Sequence, residues 1–316
     1  MTSQRRVAII DCGTNTIRLL IADDDGRGGL TEIDRRMEMV RLGQGVDATG
    51  AFHLDALERT FAATERYAHV IKDFGVPQEL IRFVATSASR DVSNRDAYLA
   101  GITERLGVEP EVITGDDEAR LSFVGALSGA TQPQAPVLVA DIGGGSTELI
   151  VGGADRSIDY AVSLDTGSVR VTERFWRSDP PAPSDLRAAV DHVDQLLDSQ
   201  PIDWSGVHTW IGVAGTLTTL AAMDLDLTDY DRSLVHGHRI ARPKVIALAE
   251  WLSESSVAQI RALGSVHPQR ADVITAGALV AARIAARLSV PELIVSEADI
   301  LDGAALDLLR DERRAG

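Results

Sequence analysis

The chain has 316 residues, 45% of them apolar and 25% charged, with a formal net charge of -16. That length allows two cores, and the acidic excess with only 4% aromatics argues against a surface that gathers DNA or RNA. A single cysteine excludes an intramolecular disulfide and fits a cytoplasmic setting, and no apolar run approaches the roughly 20 residues of a membrane span.

In chain order, VAIID and IRLLIAD read as strands joined by the turn formers CGTNT. Leu54, Leu57, Phe61, Tyr67, Val70, Ile71 and Phe74 recur at helical spacing and predict a core-facing helix closed by Gly75. The strand LIRFVATSA follows, then a helix over 95–106 with Asn94 as its cap, a short strand EVIT, and a helix that starts in DDEARLSF. TQPQAP at 131–136 interrupts every regular pattern and marks a boundary. The expected domains are therefore 1–131 and 132–316, with a final helix at about 302–312 expected to pack back on the first. The second half opens with the strand VLVADIGGG and continues through a loop at SDPPAPS, a helix in DLRAAVDHVDQLLDS and a strand entering a glycine turn in HTWIGVAGT. Helices between Pro243 and Leu288, the strand ELIVSE and a helix in ALDLLRDERR complete it. This alternation implies an α/β architecture in both halves.

VAIIDCGTNTIRLLIA and VLVADIGGGSTELIVGG align without a gap, pairing Asp11 with Asp141, Gly13 with Gly143, Thr16 with Ser146 and Arg18 with Glu148. One copy alone is only a hairpin with glycine in its turn; two copies with acids at strand ends point to phosphate. Glycine lets backbone amides approach an anion, and the hydroxyls of Thr14, Thr16, Ser146 and Thr147 can donate. Two such turns facing across a cleft would hold two phosphoryl groups. Asp11 and Asp141 repel phosphate and suit Mg2+, or another divalent cation, or a water instead. Cys12 and Arg18 stand at the Cys-x5-Arg spacing of cysteine phosphatases, but a strand follows where those enzymes need a helix, and the second copy has Ile142 in place of the thiol. Cys12 is read as a buried filler. Arg18 and Arg120 are either cleft cations or salt-bridged side chains, and His236 and His238 lack a third ligand and read as ordinary histidines on a strand.

Taken in order, DCGTNTIRLL, ATSASRDVSN, TGDDEARLSF, DIGGGSTEL, SLDTGSVRVTERF and GVAGTLTTLAA resemble the short form of the exopolyphosphatase and guanosine pentaphosphate phosphohydrolase (Ppx/GppA) family, in the actin-like ATPase superfamily. The resemblance runs to about Gly303. It implies two actin-like (ribonuclease H-like) domains with an interdomain active-site cleft, and Mg2+-dependent hydrolysis of a terminal phosphoanhydride. Position by position, Glu118 would be the general base, although an acid there also simply suits a helix N-terminus. Asp141 and Glu148 would bind metal and orient the attacking water, and Arg90 would contact the phosphate chain. Asn15, Thr16, Gly143, Gly144, Gly145 and Ser146 would supply amides and hydroxyls. Arg170 matches a position near the second domain's cleft face or a structural arginine, and GVAGT matches where the superfamily places a nucleotide-binding loop. Many members have an arginine in a G-L-R-x-G motif; this chain has DILDG, with Leu301 at that position. The implied substrate is inorganic polyphosphate, with guanosine pentaphosphate (pppGpp) as the alternative. A non-catalytic polyphosphate or alarmone sensor and a sugar kinase are the competing classes, and a homodimer is the family expectation.

Overall fold

β1 (Arg6–Cys12) is an apolar run buried along almost its whole length, as a strand with neighbours on both edges requires. The computed structural model describes residues 5–130 and 132–315. After β1 come β2 (Thr16–Asp24), β3 (Leu30–Met39), α1 (Val46–Thr49), α2 (Leu54–Asp73), β4 (Ile81–Ala85), α3 (Arg95–Leu106), β5 (Glu111–Val112) and α4 (Gly115–Ser128). The strands make one sheet in the order β3-β2-β1-β4-β5, with β1 antiparallel to β2 and parallel to β4. β3 has no counterpart in the sequence-based expectation. Its sequence, LTEIDRRMEM, is largely polar and half exposed, and pairing with β2 at the sheet edge makes it a strand.

The next elements are β6 (Val137–Ile142), β7 (Thr147–Gly152), β8 (Ile158–Leu164), α5 (Ser168–Phe175), α6 (Pro183–Asp198), β9 (Thr209–Val213), α7 (Ala214–Asp224) and α8 (Arg232–Val235). Then follow β10 (Arg239–Ala241), α9 (Arg242–Glu254), α10 (Val257–Arg261), α11 (Ile274–Arg287), β11 (Glu292–Val295) and α12 (Ile300–Ala315). The second sheet runs β10-β11-β9-β6-β7-β8. Taken from β8 to β11 it repeats the strand order of the first sheet, with β10 added at the edge.

The chain divides into two compact units, one of residues up to Ser128 with those from Asp299 onward, the other Gly129–Ala298. Each has its own core: Ile9, Leu19, Phe83 and Tyr98 with Leu301 and Leu309 of α12 in the first, and Leu138, Trp210, Leu220, Ile274 and Leu293 in the second. α12 lies along α4, where two glycines bring the backbones together. A methyl on Gly303 would fall 2.7 Å from the Leu121 carbonyl carbon, and one on Gly125 2.5 Å from that of Asp299. Arginines tie the same helix, and Asp299 just ahead of it, to the sheet and to α4: Arg18 to Asp299, Arg35 to Asp302 (2.8 Å), and Arg82 and Arg120 to Asp307 (3.3 and 3.0 Å).

Local signals hold in part. Gly75 ends α2 with φ +67, the left-handed backbone that glycine adopts without strain. Leu54, by contrast, is 72% exposed, because it opens the helix before the apolar stripe turns inward. Asn94 occupies the N-cap position of α3 as expected but makes no side-chain capping bond; its side chain instead bonds the amide and the carbonyl of Phe52, both at 2.9 Å. No helix among the described residues is long and apolar enough to cross a membrane.

Candidate active site

The two hairpins share their backbone geometry. Gly13 N donates to Thr16 O at 3.0 Å, and Gly143 N donates to Ser146 O at 3.1 Å. Asp11 lies opposite Arg18 across β1 and β2, and Asp141 opposite Glu148 across β6 and β7. The gapless sequence match is therefore a match in register.

Each turn has its carbonyls taken from behind. In the second unit the start of α5 does this: Ser168 N donates to Gly143 O (2.9 Å), while Val169 N (2.8 Å) and Arg170 N (3.1 Å) donate to Gly144 O. Arg170 Nε then donates to Gly145 O at 2.8 Å, which makes Arg170 a buttress of the turn. Gly167 permits this approach, since a methyl there would sit 2.6 Å from Gly144 O. A trans peptide points its N-H opposite to its C=O. With the carbonyls of Gly143, Gly144 and Gly145 held on the α5 side, peptide planarity directs the following amides the other way, where they can meet an anion. In the first unit the loop after β3 plays the same part: Val40 N and Arg41 N donate to Asn15 O (3.0 and 2.9 Å) and Gly43 N to Thr14 O (2.8 Å). The amides of Asn15 and Thr16 are directed away from that loop. One expected donor is committed elsewhere, because the buried Thr147 hydroxyl donates to Thr166 O at 2.6 Å.

The turns differ in charge. Arg18 clasps Asp11 through Nε and Nη2 (3.0 and 2.6 Å) and also reaches Asp299, so the first turn is balanced by an internal cation. Burial pushes the Asp11 carboxyl upward, which Arg18 only partly offsets. Both Arg18 bonds fall on Asp11 Oδ2, so one oxygen of this expected metal ligand is already committed to a cation. Asp141 and Glu148 instead bring two buried carboxylates together, with Glu148 Oε1 accepting from Ser163 Oγ at 2.6 Å. Among the described residues no group of three or more His, Cys, Asp or Glu is arranged to hold a metal. A pair of carboxylates nonetheless suits Mg2+, which keeps several waters and takes the rest of its shell from phosphate. Ser163 opens the stretch SLDTGSVRVTERF, but its bond to Glu148 was not legible because β8 itself was not.

Glu118 is in the first turn of α4, which Thr114 caps through its hydroxyl to Asp117 N (3.1 Å), while Glu118 N donates to Thr114 O (3.0 Å). Only 8% of Glu118 is exposed, and its carboxylate is paired with Arg90. Arg120 is bound to Asp307 and belongs to the α12 anchorage. Burial, with the Asp11 charge adding to it, pushes the Cys12 thiol up to about 12 despite a Tyr98 hydrogen bond, which leaves it inert as a nucleophile. His238 bonds Asp224 (2.8 Å) and His236 accepts from Glu297 N (3.0 Å); neither is within β10.

A profile of the Ppx/GppA phosphatase family matches residues 20–312. The chain is 42% identical to exopolyphosphatase 2 of Mycobacterium tuberculosis, over 96% of this chain and 98% of that protein. Among solved structures it is similar to an exopolyphosphatase-like protein, with TM-score 0.94, 40% identity, and coverage of 98% of this chain and 99% of the other. It is also similar to the Ppx/GppA family member of Aquifex aeolicus, with TM-score 0.81, 30% identity and coverage of 98% and 99%. The two α/β units are those of the actin-like, ribonuclease H-like architecture these proteins share.

Proposed function

The chain belongs to the Ppx/GppA phosphatase family, and on that footing we propose that it is an exopolyphosphatase, hydrolysing the terminal phosphoanhydride of inorganic polyphosphate with Mg2+. The observation that carries this reading is the pair of turns whose amides are directed away from carbonyl-capped backs, one of them ending on Asp141 and Glu148. Each turn offers amides and hydroxyls to a phosphoryl group: Asn15 and Thr16 in the first unit, Gly143, Gly144, Gly145 and Ser146 in the second. Arg90 adds cationic contact to the phosphate chain. Asp141 and Glu148 would hold Mg2+, which when bound would offset charge on the phosphate oxygens. Glu118 acts as general base, taking a proton from the water whose oxygen attacks the terminal phosphorus. The bond to the bridging oxygen breaks, orthophosphate is released, and the shortened chain leaves with the electron pair. Such phosphoryl transfer needs positioned charge and an oriented water more than a covalent intermediate.

The test is Glu118→Gln assayed for phosphate release, with a loss of roughly 100-fold or more expected in a folded protein. Near-normal turnover removes Glu118 from the mechanism. Polyphosphate and guanosine pentaphosphate are compared in the same assay; a large excess of activity on the guanosine compound overturns the choice of substrate. Tight binding of either without phosphate release in Mg2+ makes the protein a sensor.

A further inference from the structure

Arg90 and Glu118 have separate tasks in the reaction above, yet their side chains touch. Arg90 Nη2 donates to Glu118 Oε2, while Arg90 Nε donates to the Ile113 carbonyl at 3.1 Å. The second bond fixes the guanidinium to the backbone just ahead of α4, independently of the carboxylate. Glu118 has 8% of its surface exposed, and burial of that kind works against the charged form, whereas only a carboxylate can take a proton from water. A guanidinium in contact reverses that preference.

We propose that Arg90, besides meeting phosphate, is the positioning residue of the base: anchored on Ile113, it keeps the Glu118 carboxylate ionised and aimed at the attacking water. This rests on Glu118 being the base. The other charges on elements around the start of α4 do not supply the same support. Asp116 and Asp117 on its own first turn are exposed acids, Asp117 being bonded to Thr114 Oγ1, and Asp91 beside Arg90 is exposed as well. On α12, Asp302 is held by Arg35, and Asp307 by Arg82 and Arg120. Glu111 on β5 is paired with Arg82. Arg90 is a cation bonded directly to the base.

The test is the pH dependence of kcat on polyphosphate for wild type, Arg90→Gln and Arg90→Lys, with Glu118→Gln as reference and circular dichroism to confirm folding. For Arg90→Gln the acid limb moves to higher pH by about one unit or more, because the base protonates earlier as pH falls. Arg90→Lys retains the charge and loses the forked anchor, so its acid limb stays near wild type while kcat falls about tenfold through lost aim. If both variants raise KM and leave the acid limb and kcat unchanged, Arg90 acts on substrate alone and the proposal is overturned. Should Arg90→Gln not fold, an unchanged kcat in Arg90→Lys overturns it equally. A failure of the base assignment is read separately: Glu118→Gln then turns over near the wild-type rate, whatever Arg90 does.

Discussion

Gly303→Ala isolates what the crossing of α4 and α12 contributes. Alanine in a helix interior gains about 1 kcal/mol over glycine, and Gly303 has no left-handed backbone to cancel that gain. Against it, the new methyl would lie 2.7 Å from the Leu121 carbonyl carbon and 3.1 Å from its Cα, backbone atoms that no rotamer change can move. Carbon pairs rest at about 3.5 to 4.0 Å, so the helices have to part by roughly 1 Å. Leu121, Leu301 and Ala304 are fully buried and lose contact as the gap opens. Overpacking of this kind costs about 3 kcal/mol or more. The clash therefore outweighs the propensity, by about 2 kcal/mol net. Glu118 rides on the displaced helix, and an error of about 1 Å in a reacting group lowers turnover on the order of 100-fold. Urea unfolding followed by fluorescence and circular dichroism, with kcat on polyphosphate measured before unfolding begins, reads both effects. Gly26→Ala is the control: its methyl meets nothing within 4 Å, and it has only a left-handed backbone to bear, at about 1 kcal/mol. A Gly303→Ala protein as stable and as active as wild type would refute the reasoning.

Three further outcomes are expected. Burial raises the Asp307 carboxyl, but Arg120 and Arg82 outweigh it and hold it below the usual carboxylate range. Its stabilising effect is present above the unfolded value near pH 4 and is lost as pH falls through the folded one. Asp307→Asn is therefore less stable than wild type at neutral pH, by on the order of 1 kcal/mol, and urea midpoints of the two proteins converge as pH falls through the folded value. Chelation of divalent cations abolishes phosphate release; Glu148→Gln raises the Mg2+ needed for half-maximal rate by about tenfold, whereas Asp11→Asn leaves that requirement unchanged, as a titration of rate against Mg2+ will show. Cys12 in the native protein does not react with a thiol reagent at pH 8, and Cys12→Ala retains turnover within about threefold; a dead alanine variant would restore the thiol as nucleophile.

The hairpins were legible because glycine, an acid at a strand end and branched apolar flanks are local features, and the offset between Asp11 and Asp141 repeats them in register. The helix over 95–106 and its N-cap residue are legible from the sequence, but the use of the cap is not: Asn94 spends its side chain on Phe52, a choice made by tertiary packing. β3 and β8 are strands through their neighbours, with little in their own sequences to announce them. Arg18 reads from sequence as either a cleft cation or a salt-bridged side chain, and its partner Asp299 lies far away in the chain. The buttress from Arg170 to Gly145 also depends on a meeting of α5 with the turn that spacing does not encode. Roles set by one short segment were readable, and those set by two distant ones were not.

The first unit is interrupted in sequence: the chain leaves it after α4 and returns with α12, and the two stretches touch at Gly125 and Asp299. On a ribosome working at about 5 to 20 residues per second, α12 is synthesised on the order of 10 to 30 s after α4. During that delay the nascent sheet lacks the cover of Leu301, Ala305 and Leu309, so greasy surface stays open to aggregation or to a chaperone. The second unit, continuous along the chain, has no such wait and can mature while its elder neighbour is still unfinished.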